Sequence, residues 1–168
     1  MKAILITGHA REGKTTLAEK LSNKFHVPIY ALADELKIVV DKLFDIFQKE
    51  KPRCKEDMRY YYQQIGTEIC RGTFGEDIWC NLLDNKISNK DYEYAIISDI
   101  RFPNELKYFK DKYNCILIRA YNPEMSEKDI LQHSSELQID SLAPDFVYTR
   151  GKTSEEELYS YIQDFLDS

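Results

Sequence analysis

Residues 2–16 read KAILITGHAREGKTT, and this stretch decides the fold. Residues 2–7 are a short continuous apolar run that stops at Gly8, the pattern of a strand buried on both faces. Gly8 through Thr15 then match G-x-x-x-x-G-K-[ST], the spacing of a phosphate-binding loop. Leu17, Leu21 and Phe25 follow at helical spacing and predict a helix over about residues 14–24. A strand leading into the loop and a helix leading out of it is the context the motif requires. Gly8 and Gly13 allow the tight turn. The loop N–H groups and the helix N-terminus point at the β- and γ-phosphates of a nucleotide. Lys14 adds a mobile positive charge, and the Thr15 hydroxyl is a ligand for Mg²⁺.

Beyond the loop, strand and helix patterns alternate. A short strand is expected at 27–31. Leu36, Val39, Val40, Leu43, Phe44 and Phe47 then describe an amphipathic helix, with Asp34 near its start as an N-cap. Residues 51–57 are polar, contain Pro52 and read as a loop. Tyr62, Ile65 and Ile69 mark a further helix that Gly72 ends, and Ile78, Trp79, Leu82, Leu83 and Ile87 mark another. Residues 94–98 (YAIIS) form a strand with Asp99 at its end. Pro103 opens a helix carrying Leu106, Phe109 and Tyr113. Strands at 115–120 and 145–149 and an amphipathic C-terminal helix over Leu158, Tyr161, Ile162, Phe165 and Leu166 complete the chain. This alternation predicts a three-layer α/β fold with about five parallel strands flanked by helices. The helices of 60–87 interrupt it as an insertion in which an acceptor pocket could sit.

Ligands of such sheets bind at the C-terminal ends of the strands. Asp99 fits a Walker-B role there, holding Mg²⁺ or accepting a proton, and Arg101 can clamp a phosphate with its planar fork. The plainer reading makes Asp99 a cap for the helix at Pro103, with Glu105 in that helix's first turn. Asp34 and Lys37 face each other over one helical turn and would lie near an acceptor. Gln63 and Gln64 offer base-reading amides, and Arg71 a phosphate ligand. Trp79 is either core or a stacking platform for a base. The polar stretch with Arg119, Lys128, His133, Ser134, Ser135 and Glu136 suits a lid that excludes water from the reaction.

The length, 168 residues, suits one domain. With 43% hydrophobic and 31% charged residues, the composition is that of a globular domain, and no apolar run reaches the roughly 20 residues of a membrane span. The run before Gly8 is too short for a signal-peptide core. A net charge of −6 argues against a nucleic-acid surface, so no nucleic-acid and no membrane partner is expected. Cys54, Cys70, Cys80 and Cys115 show no disulfide or zinc spacing and read as reduced thiols in a cytoplasmic protein. Asn89-Lys90-Asp91 is one residue short of the N-K-x-D of GTPases and reads as a solvated turn.

The order GHAREGKTT, ADELK, QQIGTEICRGTFGEDIW, ISDIRFPNE and HSSE resembles the phage-type deoxynucleoside monophosphate kinases, within the P-loop nucleoside monophosphate kinase group. The resemblance runs from about Ile4 to Glu136. It implies transfer of the γ-phosphate of ATP, with Mg²⁺, to a deoxynucleoside 5′-monophosphate, in the host cytoplasm if the chain is phage-encoded. It implies one kinase domain over 1–168, a helical acceptor-binding region over about 34–90 and a lid over about 120–136. Gly8, Arg11, Gly13, Lys14, Thr15, Thr16 and Arg119 would meet ATP. Asp34, Lys37, Gln64, Arg71, Trp79, Arg101 and Glu105 would surround the acceptor. Lys14, Asp99, Arg101 and Arg71 would carry catalysis, with Thr15 and Asp99 at the metal. Lys128, His133, Ser135 and Glu136 would belong to the lid, and a homodimer is compatible with the sequence. The loop interior His9-Ala10-Arg11-Glu12 is bulkier and more charged than the family pattern: Arg11 supplies a cation of its own, or Glu12 neutralises it. The alternatives are a kinase of another phosphorylated acceptor, such as phosphomevalonate or dephospho-coenzyme A, and a nucleotide-binding regulatory protein without turnover.

Overall fold

The computed structural model describes residues 1–125 and 134–168, with the side chains of 134 and 135 excepted. The elements run β1 (Lys2–Thr7), α1 (Lys14–Phe25), β2 (Ile29–Tyr30), α2 (Leu32–Ile46), α3 (Lys55–Gln63), a π-helical stretch (Gln64–Arg71), the single turn α4 (Gly72–Phe74) and α5 (Ile78–Ser88). They continue with β3 (Tyr94–Ile100), α6 (Pro103–Lys112), β4 (Asn114–Tyr121), α7 (Ser134–Leu137), a 3₁₀ turn (Ile139–Ser141), β5 (Phe146–Thr149) and α8 (Glu155–Asp167). The chain divides into two compact units, one of Met1–Tyr30 with Asp91–Ser168 and one of Ala31–Lys90.

The first unit holds a five-stranded sheet in the order β2-β3-β1-β4-β5, and every pairing is parallel. β1 lies at its centre. Its residues from Ala3 to Thr7 are all buried, as expected of a strand covered on both faces. Ile4 and Ile6 face one core with Ile96, Ile116 and Ile118, closed by Leu17, Ala18 and Leu21 of α1 and Leu158, Ile162 and Leu166 of α8. The alternate positions, Ala3, Leu5, Ile97 and Leu117, are fully buried as well.

Register fixes where the chain leaves the sheet. Thr7, the last residue of β1, stands opposite Ile100 on β3 and Arg119 on β4. Gly8 therefore emerges between the C-terminal ends of both neighbours, which puts residues 8–13, Arg101 and Arg119 at the C-terminal end of the sheet.

In the second unit, the Trp79 indole N–H of α5 donates to the Gly66 carbonyl at 3.0 Å. Lys86 pairs with Glu35 of α2 at 2.9 Å, and Phe44 meets Tyr61 edge-on with centroids 5.0 Å apart. A Cβ on Gly66 would come within 2.6 Å of Leu36 Cδ2, so a residue without a side chain lets the π-helical stretch lie against α2. The periodicity of Tyr62, Ile65 and Ile69 predicts an ordinary helix here; the chain instead widens to i→i+5 winding after Gln63. The polar stretch 51–57 is partly helical, because α3 begins at Lys55. Among the described residues no helix is long and apolar enough to cross a membrane.

Candidate active site

The loop between β1 and α1 is built on three residues with positive φ: Gly8 (146°), Arg11 (69°) and Gly13 (92°). Gly8 is doubly constrained, since a Cβ there would lie 2.6 Å from the Ala120 carbonyl oxygen and 3.1 Å from Glu12 Oε2. Gly13 is the N-cap of α1, and among the described residues no side chain caps that end. The first-turn N–H groups of α1 thus face outward as a ready anion site. Glu12 is turned inward and buried, and its Oε2 accepts the His9 N–H at 2.5 Å. The charged loop interior therefore closes on itself.

Lys14 is half-buried and folded back, its ammonium donating to the carbonyls of Gly8 and His9 at 2.7 Å each. Burial first, and then the neighbouring Arg101, pull its amine down to about 8, against the opposing pull of Glu136, Asp99 and Glu12. Thr15 and Thr16 lie exposed in the first turn of α1.

β3 extends one residue past Asp99, to Ile100, so Asp99 belongs to the strand and does not cap α6. Capping falls to Glu105, whose buried Oε2 accepts the N–H of Phe102 at 3.1 Å and of Arg101 at 2.8 Å. Glu105 thereby fixes the backbone that presents Arg101. The Arg101 guanidinium donates to Glu136 Oε1 at 2.5 Å, and Glu136 Oε2 accepts the Ala10 N–H at 3.0 Å. Burial alone would raise the Glu136 carboxyl, but Arg101, the Ala10 N–H and Lys14 outweigh it and hold it below the usual carboxylate range.

A second clasp lies four residues on. Asp140 Oδ1 pairs with His9 Nε2 at 3.1 Å and with Arg119 at 2.8 Å, and Ile139 beside it is fully buried. Desolvation would raise the Asp140 carboxyl; the bonds from Arg119 and His9 prevail and lower it. The other ring nitrogen of the buried His9, Nδ1, stands 3.5 Å from Glu136 Oε2. Glu12 is named in the sequence as one neutraliser of Arg11, but Asp140 is not singled out there, and neither is a partner for His9. His9 is visible only as a bulky loop residue, and no motif marks Asp140.

The structure thus brings together Gly8, Lys14, Arg101, Arg119 and Glu136 around one loop, with Glu105 behind Arg101. Asp34, Lys37, Gln64, Arg71 and Trp79 belong to the other unit. There Asp34 and Lys37 pair at 2.8 Å on the exposed first turn of α2. Asp34 is the third residue of that helix and not its cap, since Ala31 takes the cap position and accepts the Asp34 N–H. Arg71 donates to the Glu76 carbonyl at 2.8 Å. Trp79 is buried with its N–H used on Gly66, so its role in the fold is core. Gln64 opens the π-helical stretch. Lys128, His133 and the Ser135 side chain lie outside the described residues.

No family model matches the chain. A 47-residue stretch is 43% identical to a deoxynucleoside-5′-monophosphate kinase of Escherichia phage T5, covering 28% of this chain and 19% of that relative. The match therefore spans about a fifth of the relative's length. Among solved structures, a sugar kinase from Janibacter sp. HTCC2649 superposes with a TM-score of 0.51 at 12% identity, over 99% of this chain and 95% of that one. TT1252 from Thermus thermophilus gives 0.51 at 16%, over 98% and 96%. A putative kinase from Chloroflexus aurantiacus gives 0.51 at 14%, over 99% and 96%. The fold is that of the P-loop kinases.

A thread of hard oxygen donors suits Mg²⁺, which takes one or two protein oxygens and fills its shell with phosphate oxygens and water. Thr15 offers a hydroxyl and Asp99 a carboxylate, oxygen donors of the kind Mg²⁺ takes. Among the described residues no group of three or more His, Cys, Asp or Glu could hold a metal by itself.

Proposed function

We propose that the protein transfers the γ-phosphate of Mg·ATP to a deoxynucleoside 5′-monophosphate, giving ADP and the deoxynucleoside diphosphate. The observation that carries the phosphotransfer reading is the convergence of Lys14, Arg101 and the Ala10 N–H at the end of the central strand. The stretch shared with a phage deoxynucleoside monophosphate kinase supports the choice of acceptor.

In this reading an anionic oxygen of the acceptor attacks the γ-phosphorus while the bond to the β–γ bridging oxygen breaks. The nucleophile is already ionised, so no general base is needed. What remains is positioning and stabilisation of charge on the transferring group. Lys14 leaves the Gly8 and His9 carbonyls for the phosphates, and Arg101, oriented by Glu105, spans the transferring and acceptor phosphates. Thr15 and Asp99 would hold Mg²⁺, which would supply neutralisation of the phosphate charge. Arg119 would meet the nucleotide, and Asp34, Lys37, Gln64 and Arg71 the acceptor.

The test is ADP release from Mg·ATP, screened across dAMP, dGMP, dCMP, dTMP and their ribose counterparts. Stimulation by at least one deoxynucleotide is expected, and Lys14→Ala should abolish it with the fold intact. No stimulation by any of these nucleotides, from protein that still binds ATP, would refute the nucleotide acceptor. Full activity in Lys14→Ala would refute the mechanism.

A further inference from the structure

The donors expected to hold a nucleotide phosphate already hold an anion. Glu136 is 1% exposed, and both of its oxygens are engaged, one by the Ala10 N–H and one by the Arg101 guanidinium. Lys14 is close enough that the Glu136 charge favours its protonated form. A loop N–H, an arginine fork and a lysine are the set of donors that binds phosphate oxygens, and a carboxylate satisfies the same set. Without an acceptor, the Ala10 N–H and Arg101 would lose hydrogen bonds that a partly buried site cannot fully restore with water.

Glu136 also has an independent anchor. Ile139 is fully buried, and Asp140 is tied to His9 and Arg119. The buried Ile139 and the Arg119–Asp140 pair do not involve the Glu136 carboxylate, and the His9–Asp140 contact uses Nε2, the ring nitrogen other than the one 3.5 Å from Glu136 Oε2. The segment can therefore stay docked beside the loop while that one side chain gives up its donors.

We infer that Glu136 is an internal counter-ion of the phosphate site, holding the Ala10 N–H and Arg101 in the nucleotide-free protein and competing with nucleotide phosphate for them. The inference rests on the nucleotide-binding half of the proposed function and not on the identity of the acceptor. Glu136 thereby sets how tightly the site takes a phosphate chain, because each anion that enters displaces one already there.

Calorimetric titration of wild type, Glu136→Gln and Glu136→Ala with pyrophosphate, ADP and ATP, without an acceptor, tests this. Gln keeps the volume and an oxygen for the Ala10 N–H but removes the charge. The variants should bind these anions more tightly than wild type, by about tenfold, the weight of one charge-assisted hydrogen bond. The rise in melting temperature on adding ATP should be larger in the variants too, and melting without ligand verifies that each is folded. Unchanged or weaker binding in a folded variant would overturn the inference, since it would make Glu136 a support for Arg101 and the loop and no competitor. ATP binding with this tightening but no turnover on any nucleoside monophosphate would refute the proposed acceptor alone. Turnover with unchanged anion affinity would refute this inference alone, and absence of anion binding in all three proteins would refute both.

Discussion

Gly8→Ala and Gly13→Ala make a matched pair. Both positions have positive φ, 146° and 92°, so a side chain at either place strains the backbone by about 1–3 kcal/mol. They differ in what the new Cβ meets. At Gly13 no atom of the described residues lies within 4 Å. At Gly8 the Cβ would fall 2.6 Å from the Ala120 carbonyl oxygen, and about 0.8 Å of movement is needed to reach ordinary contact at 3.4 Å. Ala120 cannot yield freely, because it is 1% exposed and paired with Tyr148 of β5. The other contact, Glu12 Oε2, is held by the His9 N–H. Overpacking of that kind costs about a further 1–3 kcal/mol. In a domain of this size each kcal/mol lowers the melting temperature by about 2–4 °C. Gly8→Ala should therefore melt several degrees below Gly13→Ala in a calorimetric scan of the nucleotide-free protein. If Gly13→Ala melts as low as Gly8→Ala, close packing of the loop against β4 is not what makes Gly8 necessary.

With its amine lowered to about 8, Lys14 is charged below that pH and neutral above it in the nucleotide-free protein. ATP affinity should fall as pH rises through 8, and Lys14→Met should remove that step; a flat wild-type profile between pH 7 and 9.5 would contradict the lowered amine. The unfolded chain keeps this proton until about 10.5, so between 8 and 10.5 it binds more protons than the native state and Lys14 makes stability rise with pH. Trp79→Phe should cost about 1–3 kcal/mol in urea unfolding followed by circular dichroism, because the Gly66 carbonyl loses a buried donor. Equal stability would mean that this bond contributes nothing net.

The sheet was legible because its strands are unusually plain. β1 and β4 carry continuous apolar stretches at 3–6 and 115–118, and α1, α2, α5, α6 and α8 carry their periods in full, so the five-stranded parallel architecture follows from pattern alone. The errors lie where a side chain chose between two partners. Asp34 and Asp99 both stand near helix starts, and the plainer reading of each makes it a cap, yet the caps are Ala31 and Phe102, with Glu105 reaching back to serve the second. A capping pattern in sequence does not say which carboxylate reaches the N–H first. The π-helical stretch was not legible either, since Ile65 and Ile69 keep an ordinary helical spacing while Gly66 takes its meaning from Leu36, thirty positions earlier. Lys14 and the two glycines could be named because the loop is a local motif. His9 and Asp140 could not, since their pairing spans 131 positions and depends on the 3₁₀ turn after α7 docking at the mouth of β4.

The net charge of −6 is a poor guide to how this site meets an anion. Around the loop, cations and carboxylates are interleaved: Arg101 with Glu136, Arg119 with Asp140, and Lys14 among Glu136, Asp99 and Glu12. A phosphate chain arriving here would exchange partners within a balanced set and would not simply neutralise an excess of positive charge. Short-range geometry then matters more than the long-range field, which salt screens over a Debye length of about 8 Å at physiological ionic strength. Pyrophosphate affinity should accordingly depend less on ionic strength in wild type than in Glu136→Gln, where Arg101 and Lys14 are left with one balancing charge fewer. Titrations at low and high potassium chloride measure this directly. A wild-type salt dependence as steep as that of Glu136→Gln would mean that the internal carboxylates do not balance the site, and that its cations act on phosphate as if they stood alone.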